Sequence, residues 1–134
     1  MKVDTLNSEE IQQLKSAALE HLWMPSRDWV EISEQGGPQI AVDAEGIRFT
    51  DSEGKTWIDV RGGYASVNVG YGRQEIADAA YEQMLNLHYF PQTSTTEIQV
   101  KLFEKLAQIT PGKLERAWAT TGGSEANETA IKMA

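Results

Sequence analysis

The segment that most restricts what this chain can become is its closing stretch, Thr120 to Ala134 (TTGGSEANETAIKMA). A strand-like run, Arg116-Ala117-Trp118-Ala119-Thr120-Thr121, leads into Gly122, Gly123 and Ser124. The pattern then turns helical, with Ala126, Ala130, Met133 and Ala134 sharing one face. Strand, glycine turn and helix in that order form the opening unit of an α/β fold. Glycines let a backbone approach a ligand closely and take φ angles that a β-carbon forbids. The first amides of a helix have no internal partners, and the helix dipole adds partial positive charge there. Such a start suits an anion, most often a phosphate. Gly-Gly-Ser before a helix is also the composition of an ordinary turn with a serine cap, so the local chemistry leaves both readings open. It is not a P-loop, because no Lys-Ser/Thr pair follows the glycines, and the G-x-G-x-x-G spacing of the dinucleotide fold is missing. Glu125 and Glu128 suit the dipole of the first turn but repel a phosphate unless they point away.

Upstream, the hydrophobic period changes twice. Residues 8–23 read as an amphipathic helix with Ile11, Leu14, Ala18 and Leu22 at helical spacing; Asn7 and Glu10 form a capping pair at its start, and Pro25 ends it. Over residues 39–60 the period drops to two. Ile40 and Val42, Ile47 and Phe49, Ile58 and Val60 alternate along three short strands, with turns at Ala44-Glu45-Gly46 and Ser52-Glu53-Gly54. This predicts a three-stranded antiparallel meander. Residues 61–73 follow as a glycine-rich loop (Gly62, Gly63, Gly70, Gly72, with Tyr64 and Tyr71 among them), either a flexible connection or backbone packed against a ligand. Helical spacing resumes over residues 74–88 (Ile76, Ala80, Met84, Leu87) and 95–109 (Ile98, Leu102, Leu106, Ile109), the second behind a capping box of Ser94 and Glu97. These apolar stripes read as packing faces.

The single core strand at 116–121 leaves the parallel sheet short, since such sheets need several strands buried on both faces. Twenty acids against twelve bases give a net charge of −8 with no basic tract, which argues against nucleic acid or an anionic membrane as partner. With no cysteine there is no disulfide, thiolate nucleophile or cysteine-based zinc site, and His21 and His88 lack the spacing of a metal site. No run is long and apolar enough to span a bilayer, and MKVDTLNSEE is not a signal peptide; the chain reads as cytoplasmic.

Two stretches resemble a known family. Residues 46–73 (GIRFTDSEGKTWIDVRGGYASVNVGYGR) are similar to the N-terminal signature of class III (ω-type) aminotransferases, D-x-x-G-x-x-Y/W-I/L-D running into a glycine-rich loop. The matching residues are Asp51, Gly54, Trp57, Ile58 and Asp59, then Gly62-Gly63 and Asn68-Val69-Gly70. Residues 109–134 resemble the family stretch that carries S/T-G-S/A-E-A/S-N-E. The resemblance implies an α/β fold of fold-type I, of which this chain is the N-terminal portion: helix, antiparallel meander, helices and the first strand-turn-helix of the large domain. Residues 1–73 would form an N-terminal segment belonging in part to the small domain, and 74–134 the beginning of the large, cofactor-binding domain.

The resemblance further implies pyridoxal 5′-phosphate as cofactor, an amino acid or amine as donor, a keto acid or aldehyde as acceptor, and a homodimer. Gly123 and Ser124, with Gly122, match the family's phosphate-binding residues. Tyr64 and Ala65 lie where the family lines the substrate pocket, and many relatives with amine or ω-amino acid substrates carry a bulky aromatic at the Ala65 position, which implies a different substrate size here. Tyr89 and Phe90 sit where some relatives contribute to that pocket, or are packing aromatics. Arg73 is a candidate for a substrate carboxylate or a solvated loop arginine. None of the chain's lysines, Lys132 included, matches the Schiff-base position, which the resemblance puts beyond Ala134. The chain is therefore expected to be a piece of a longer enzyme and inactive alone. Two other outcomes fit the same residues: a decarboxylase or aminomutase of the family, which the run ITPGKLERA before TGGSEANE resembles, or an inactive truncated stub.

Overall fold

The computed structural model describes residues 6–25, 27–91 and 93–134. The elements run in the order α1 (Ser8–His21), α2 (Trp29–Glu34), β1 (Ala41–Glu45), β2 (Arg48–Asp51), β3 (Thr56–Ile58), α3 (Gly62–Ala65), α4 (Gln74–Leu87), α5 (Glu97–Ile109) and α6 (Gly123–Met133). The chain divides into two compact units, Met1–Glu82 and Gln83–Ala134, with the division inside α4.

In the first unit α1 starts where its local chemistry dictates. The Asn7 side chain accepts from the amides of Glu9 and Glu10, and the Glu10 carboxylate reaches back to the Asn7 amide at 2.8 Å. Two orphan donors are thus satisfied reciprocally. The helix ends at His21, short of Pro25, because Leu22 is already extended. Asp28 caps the short α2 the same way, accepting from Val30 and Glu31. Ile32 of α2 is buried, as is Pro38 in the connection to β1.

The meander forms as its alternation requires, in the order β1-β2-β3, antiparallel throughout. Its first turn is tighter than the sequence suggests. Ala44 and Glu45 pair with Phe49 and Arg48, which leaves Gly46 and Ile47 as a two-residue connection. A register shift between Ala41 and Asp43 inserts Val42 as a bulge, which bends an edge strand and sharpens its twist. Val60, expected in the third strand, lies beyond its end and is 90% exposed.

In the second unit, the cap of α5 is Thr96 and not Ser94. The Thr96 hydroxyl accepts from the Gln99 amide at 3.3 Å. The expected strand at 116–121 carries no ladder pairing among the described residues. A parallel strand exists only through a neighbour's hydrogen bonds, and no neighbouring strand of that kind is described. The stripes of α4, α5 and α6 are likewise uncovered: Met84, Leu102, Ile109, Ile131 and Met133 are all exposed. Among the described residues no helix is long and apolar enough to cross a membrane.

Candidate active site

Two buried or half-buried carboxylates organise the first unit. Asp51, at the end of β2, accepts from the amides of Glu53 (3.1 Å) and Lys55 (2.9 Å) with one oxygen. Its other oxygen accepts from the Trp57 indole (2.6 Å) and the Gln39 amide (3.2 Å). These donors, the Trp57 indole foremost, hold the carboxyl at a pKa of about 2, because every one of them favours the charged form. Asp51 is thereby the knot of the β2–β3 turn, and it is 6% exposed.

Asp59 does the same for the glycine-rich loop. One oxygen accepts from the Arg61 amide (3.0 Å); the other accepts from the Gly63 amide (2.6 Å) and the Tyr71 hydroxyl (2.7 Å). The Tyr71 hydroxyl first, and then the Gly63 amide, lower the Asp59 pKa below the ordinary carboxylate value, while the same carboxylate raises that of Tyr71. The loop itself has an unusual backbone. Gly62, Gly63, Tyr64 and Ala65 all take left-handed φ values, 54°, 56°, 56° and 64°. For residues bearing a β-carbon that conformation costs roughly 1–2 kcal/mol each, so Tyr64 and Ala65 are held there by their surroundings. Gly63 leaves no room for a side chain, since an added β-carbon would stand 2.7 Å from Val67 Cγ2.

The base of the loop is riveted to the first hairpin. Tyr71 and Gly46 exchange both backbone hydrogen bonds, at 2.8 and 3.1 Å. Tyr64 and Tyr71 line a cleft of about 440 Å³ against Ala41, Phe49 and Ile58. The Tyr64 ring is 80% exposed, with the Arg61 guanidinium 4.9 Å from its centre. Arg73 is engaged by the Glu75 carboxylate and, at 3.1 Å, by the Val69 carbonyl. In the second unit, Tyr89 and Phe90 line a separate cleft of about 640 Å³ with Leu87, Leu102 and Phe103.

The start of α6 differs from every capped helix above. Its N-cap is Gly122, extended at φ −172°, and no side chain caps it. Ser124 lies inside the first turn and is not the cap. The first backbone bond is Ala126 N–H to the Gly122 carbonyl at 3.0 Å, which leaves the amides of Gly123, Ser124 and Glu125 without intrahelical partners. Space above Gly123 is open. The donor set therefore fits a phosphate: three free amides, a neighbouring hydroxyl and the positive end of a dipole. One group opposes it. The Glu125 carboxylate folds back to within 2.8 Å of where a Gly122 β-carbon would stand, so an anion seated here displaces that side chain.

Sequence reasoning missed the Asp59–Tyr71 pair as a device, although its signal is present. An aspartate two residues before a loop amide is the signature of an Asx-turn, and Asp59-Val60-Arg61 and Asp51-Ser52-Glu53 both carry it.

A three-stranded antiparallel sheet and a glycine loop anchored on a carboxylate stand in the first unit, and an uncapped helix start stands in the second. The aminotransferase class-III pattern matches residues 32–134, and the chain belongs to that family. It is 46% identical over 97 residues to the taurine–pyruvate aminotransferase of Bilophila wadsworthia, an alignment covering 72% of this chain and 21% of that enzyme. The structure of an (S)-enantioselective ω-transaminase from Thermomicrobium roseum superposes with a TM-score of 0.88 at 34% identity, over 98% of this chain and 29% of that one. That of taurine:2-oxoglutarate aminotransferase from Bifidobacterium kashiwanohense, in complex with pyridoxal phosphate and glutamate, gives 0.75 at 27% identity, over 98% and 28%. The chain thus spans between about a fifth and a third of the length of these relatives.

Proposed function

We propose that this chain supplies the phosphate cradle and part of the donor pocket of a pyridoxal-phosphate transaminase. The observation that carries the reading is the uncapped start of α6, with three free amides inside the stretch matched to the family. Bound there, pyridoxal phosphate supplies the electron sink that lets an amino group pass from a donor to a keto-acid acceptor. The residues of this chain bind and orient. Gly123 and Ser124 donate backbone amides to the phosphate, which displaces the Glu125 carboxylate from beside Gly122, and the Ser124 hydroxyl adds a charge-assisted bond. Tyr64 and Ala65 line the donor pocket from the glycine loop, and Tyr89 is a further candidate pocket residue that lines a cleft of its own unit. A small residue at Ala65 leaves room beside Tyr64 for the head group of the donor.

The relative at 46% identity supports a taurine-type ω-amino donor and pyruvate as acceptor. A homodimer is proposed on likeness to the family alone, since the rest of such an enzyme would cover the exposed apolar faces of α4, α5 and α6 as readily as a second copy. The test is direct. The intact protein, incubated with pyridoxal phosphate, taurine and pyruvate, should form alanine. No alanine from taurine or any other amino donor, with cofactor bound, overturns the reading.

A further inference from the structure

The left-handed turn at residues 62–65 holds itself together only locally. Its internal bonds run Ala65 N–H to Arg61 (3.0 Å), Val67 N–H to Gly62 (2.9 Å) and Asn68 side-chain amide to Ala65 (3.0 Å), all within the loop. None of them fixes the turn to the sheet, and the one backbone bond back to Asp59, from the Gly62 amide to its carbonyl, is long at 3.4 Å. The Asp59 carboxylate does fix it, and both members of the Asp59–Tyr71 pair have backbones pinned to the same hairpin turn. Asp59 donates its amide to the Ile47 carbonyl at 2.8 Å, and Tyr71 donates its own to Gly46, also at 2.8 Å. The side chains then meet across twelve residues of sequence at 2.7 Å. From that frame the carboxylate reaches the Arg61 and Gly63 amides, which flank the point where the chain turns left-handed.

Tyr64 and Ala65 are the two residues of the turn that bear β-carbons and resist this backbone. Without an external clamp they relax toward right-handed geometry and swing away. Asp59 borders the cleft, but both of its carboxylate oxygens are taken by the Arg61 and Gly63 amides and the Tyr71 hydroxyl, so it acts through the loop. We propose that Asp59, clamped to Tyr71, is a positioning residue that fixes the turn at 62–65 and so sets where Tyr64 and Ala65 stand toward the amino donor. This rests on Tyr64 and Ala65 lining the donor pocket.

The test uses the intact protein and two variants. Tyr71→Phe removes one bond and keeps the carboxylate; Asp59→Asn also sets an amide against donors. Trypsin reads the clamp without any catalytic assay, because Arg61 lies in the loop and Arg48 lies in β2. Cleavage after Arg61 should rise several-fold in Tyr71→Phe and further in Asp59→Asn, while cleavage after Arg48 stays unchanged. In the cofactor-loaded protein the ratio of kcat/KM for a small and a bulky amino donor should shift several-fold, with affinity for the cofactor unaltered. Arg61 protected in both variants, or Arg61 and Arg48 opening together, overturns the clamp. Arg61 opening with an unchanged donor ratio overturns its role in specificity. A wild-type protein that transaminates nothing sinks the pocket reading instead, and the tryptic pattern still decides the clamp.

Discussion

Two glycine pairs occupy this chain in opposite states. Gly62 and Gly63 have φ of 54° and 56°, lie under a carboxylate, and leave no space for a β-carbon at Gly63. Gly122 is extended at −172° and Gly123 opens a right-handed helix, with nothing within 4 Å of its would-be β-carbon. The expectation that the second pair needs φ angles forbidden to other residues is therefore not met. In the loop, glycine answers a backbone demand made by Asp59 and Val67. At α6 it answers none: Gly123 leaves its amide and the space above it free, while the Glu125 carboxylate stands over Gly122. The same dipeptide is structural in one unit and available in the other.

Alanine at each pair breaks or sharpens this contrast. Gly63→Ala should destabilise the first unit by about 2–4 kcal/mol, the sum of a left-handed β-carbon and an overpacked contact with Val67. Gly123→Ala should instead leave stability unchanged or raise it by up to about 1 kcal/mol. Urea unfolding compares the two, and equal losses would end the distinction. A smaller effect, on binding alone, separates cradle from scaffold. Ser124→Ala should weaken pyridoxal-phosphate binding about tenfold or more, the worth of one charge-assisted hydrogen bond, with the unfolding midpoint unmoved. Fluorescence titration of the cofactor checks it.

The carboxylate-organised unit should also answer to acid where α6 does not. The Asp51 pKa is about 2 in the fold, below its ordinary 3.8. A depressed value means the stabilisation is complete above the ordinary pKa and disappears as pH falls through about 2. Asp51→Asn should flatten that acid limb in circular dichroism, and an unchanged limb would remove Asp51 from its place as the knot of the β2–β3 turn. The least effect concerns the capped start of α5. Thr96→Ala should cost about 0.5–1 kcal/mol and Ser94→Ala under about 0.5, a difference that thermal melts resolve.

Much of this was legible in sequence, for a reason visible in individual residues. The Asn7–Glu10 box closes over three residues, and the meander's alternation exposes its period directly. The cap of α5 was misplaced by two residues because Ser94 and Thr96 are both good caps and only backbone geometry chooses between them. The candidate cradle was legible as a motif, yet not that Glu125 folds back over it. The aromatic pocket residues were legible only through likeness to a family, since nothing local distinguishes Tyr64 from a packing tyrosine.

The sequence by itself determined α1, α4, α5 and α6, their order and the meander, together with the stretch of amides at α6, while α2 and the turn at 62–65 were not legible in it. The helices close their bonds over four residues, and the meander pairs neighbouring strands no more than ten residues apart, so the local pattern suffices. Only the tertiary structure decided the left-handed turn at 62–65, which depends on Asp59 and Tyr71 meeting across twelve residues, and the Asp51 knot, which draws in Gln39 from the same distance. It also decided that residues 116–121 find no ladder partner among the described residues. A helix carries its own hydrogen-bond partners, whereas a strand must find them elsewhere.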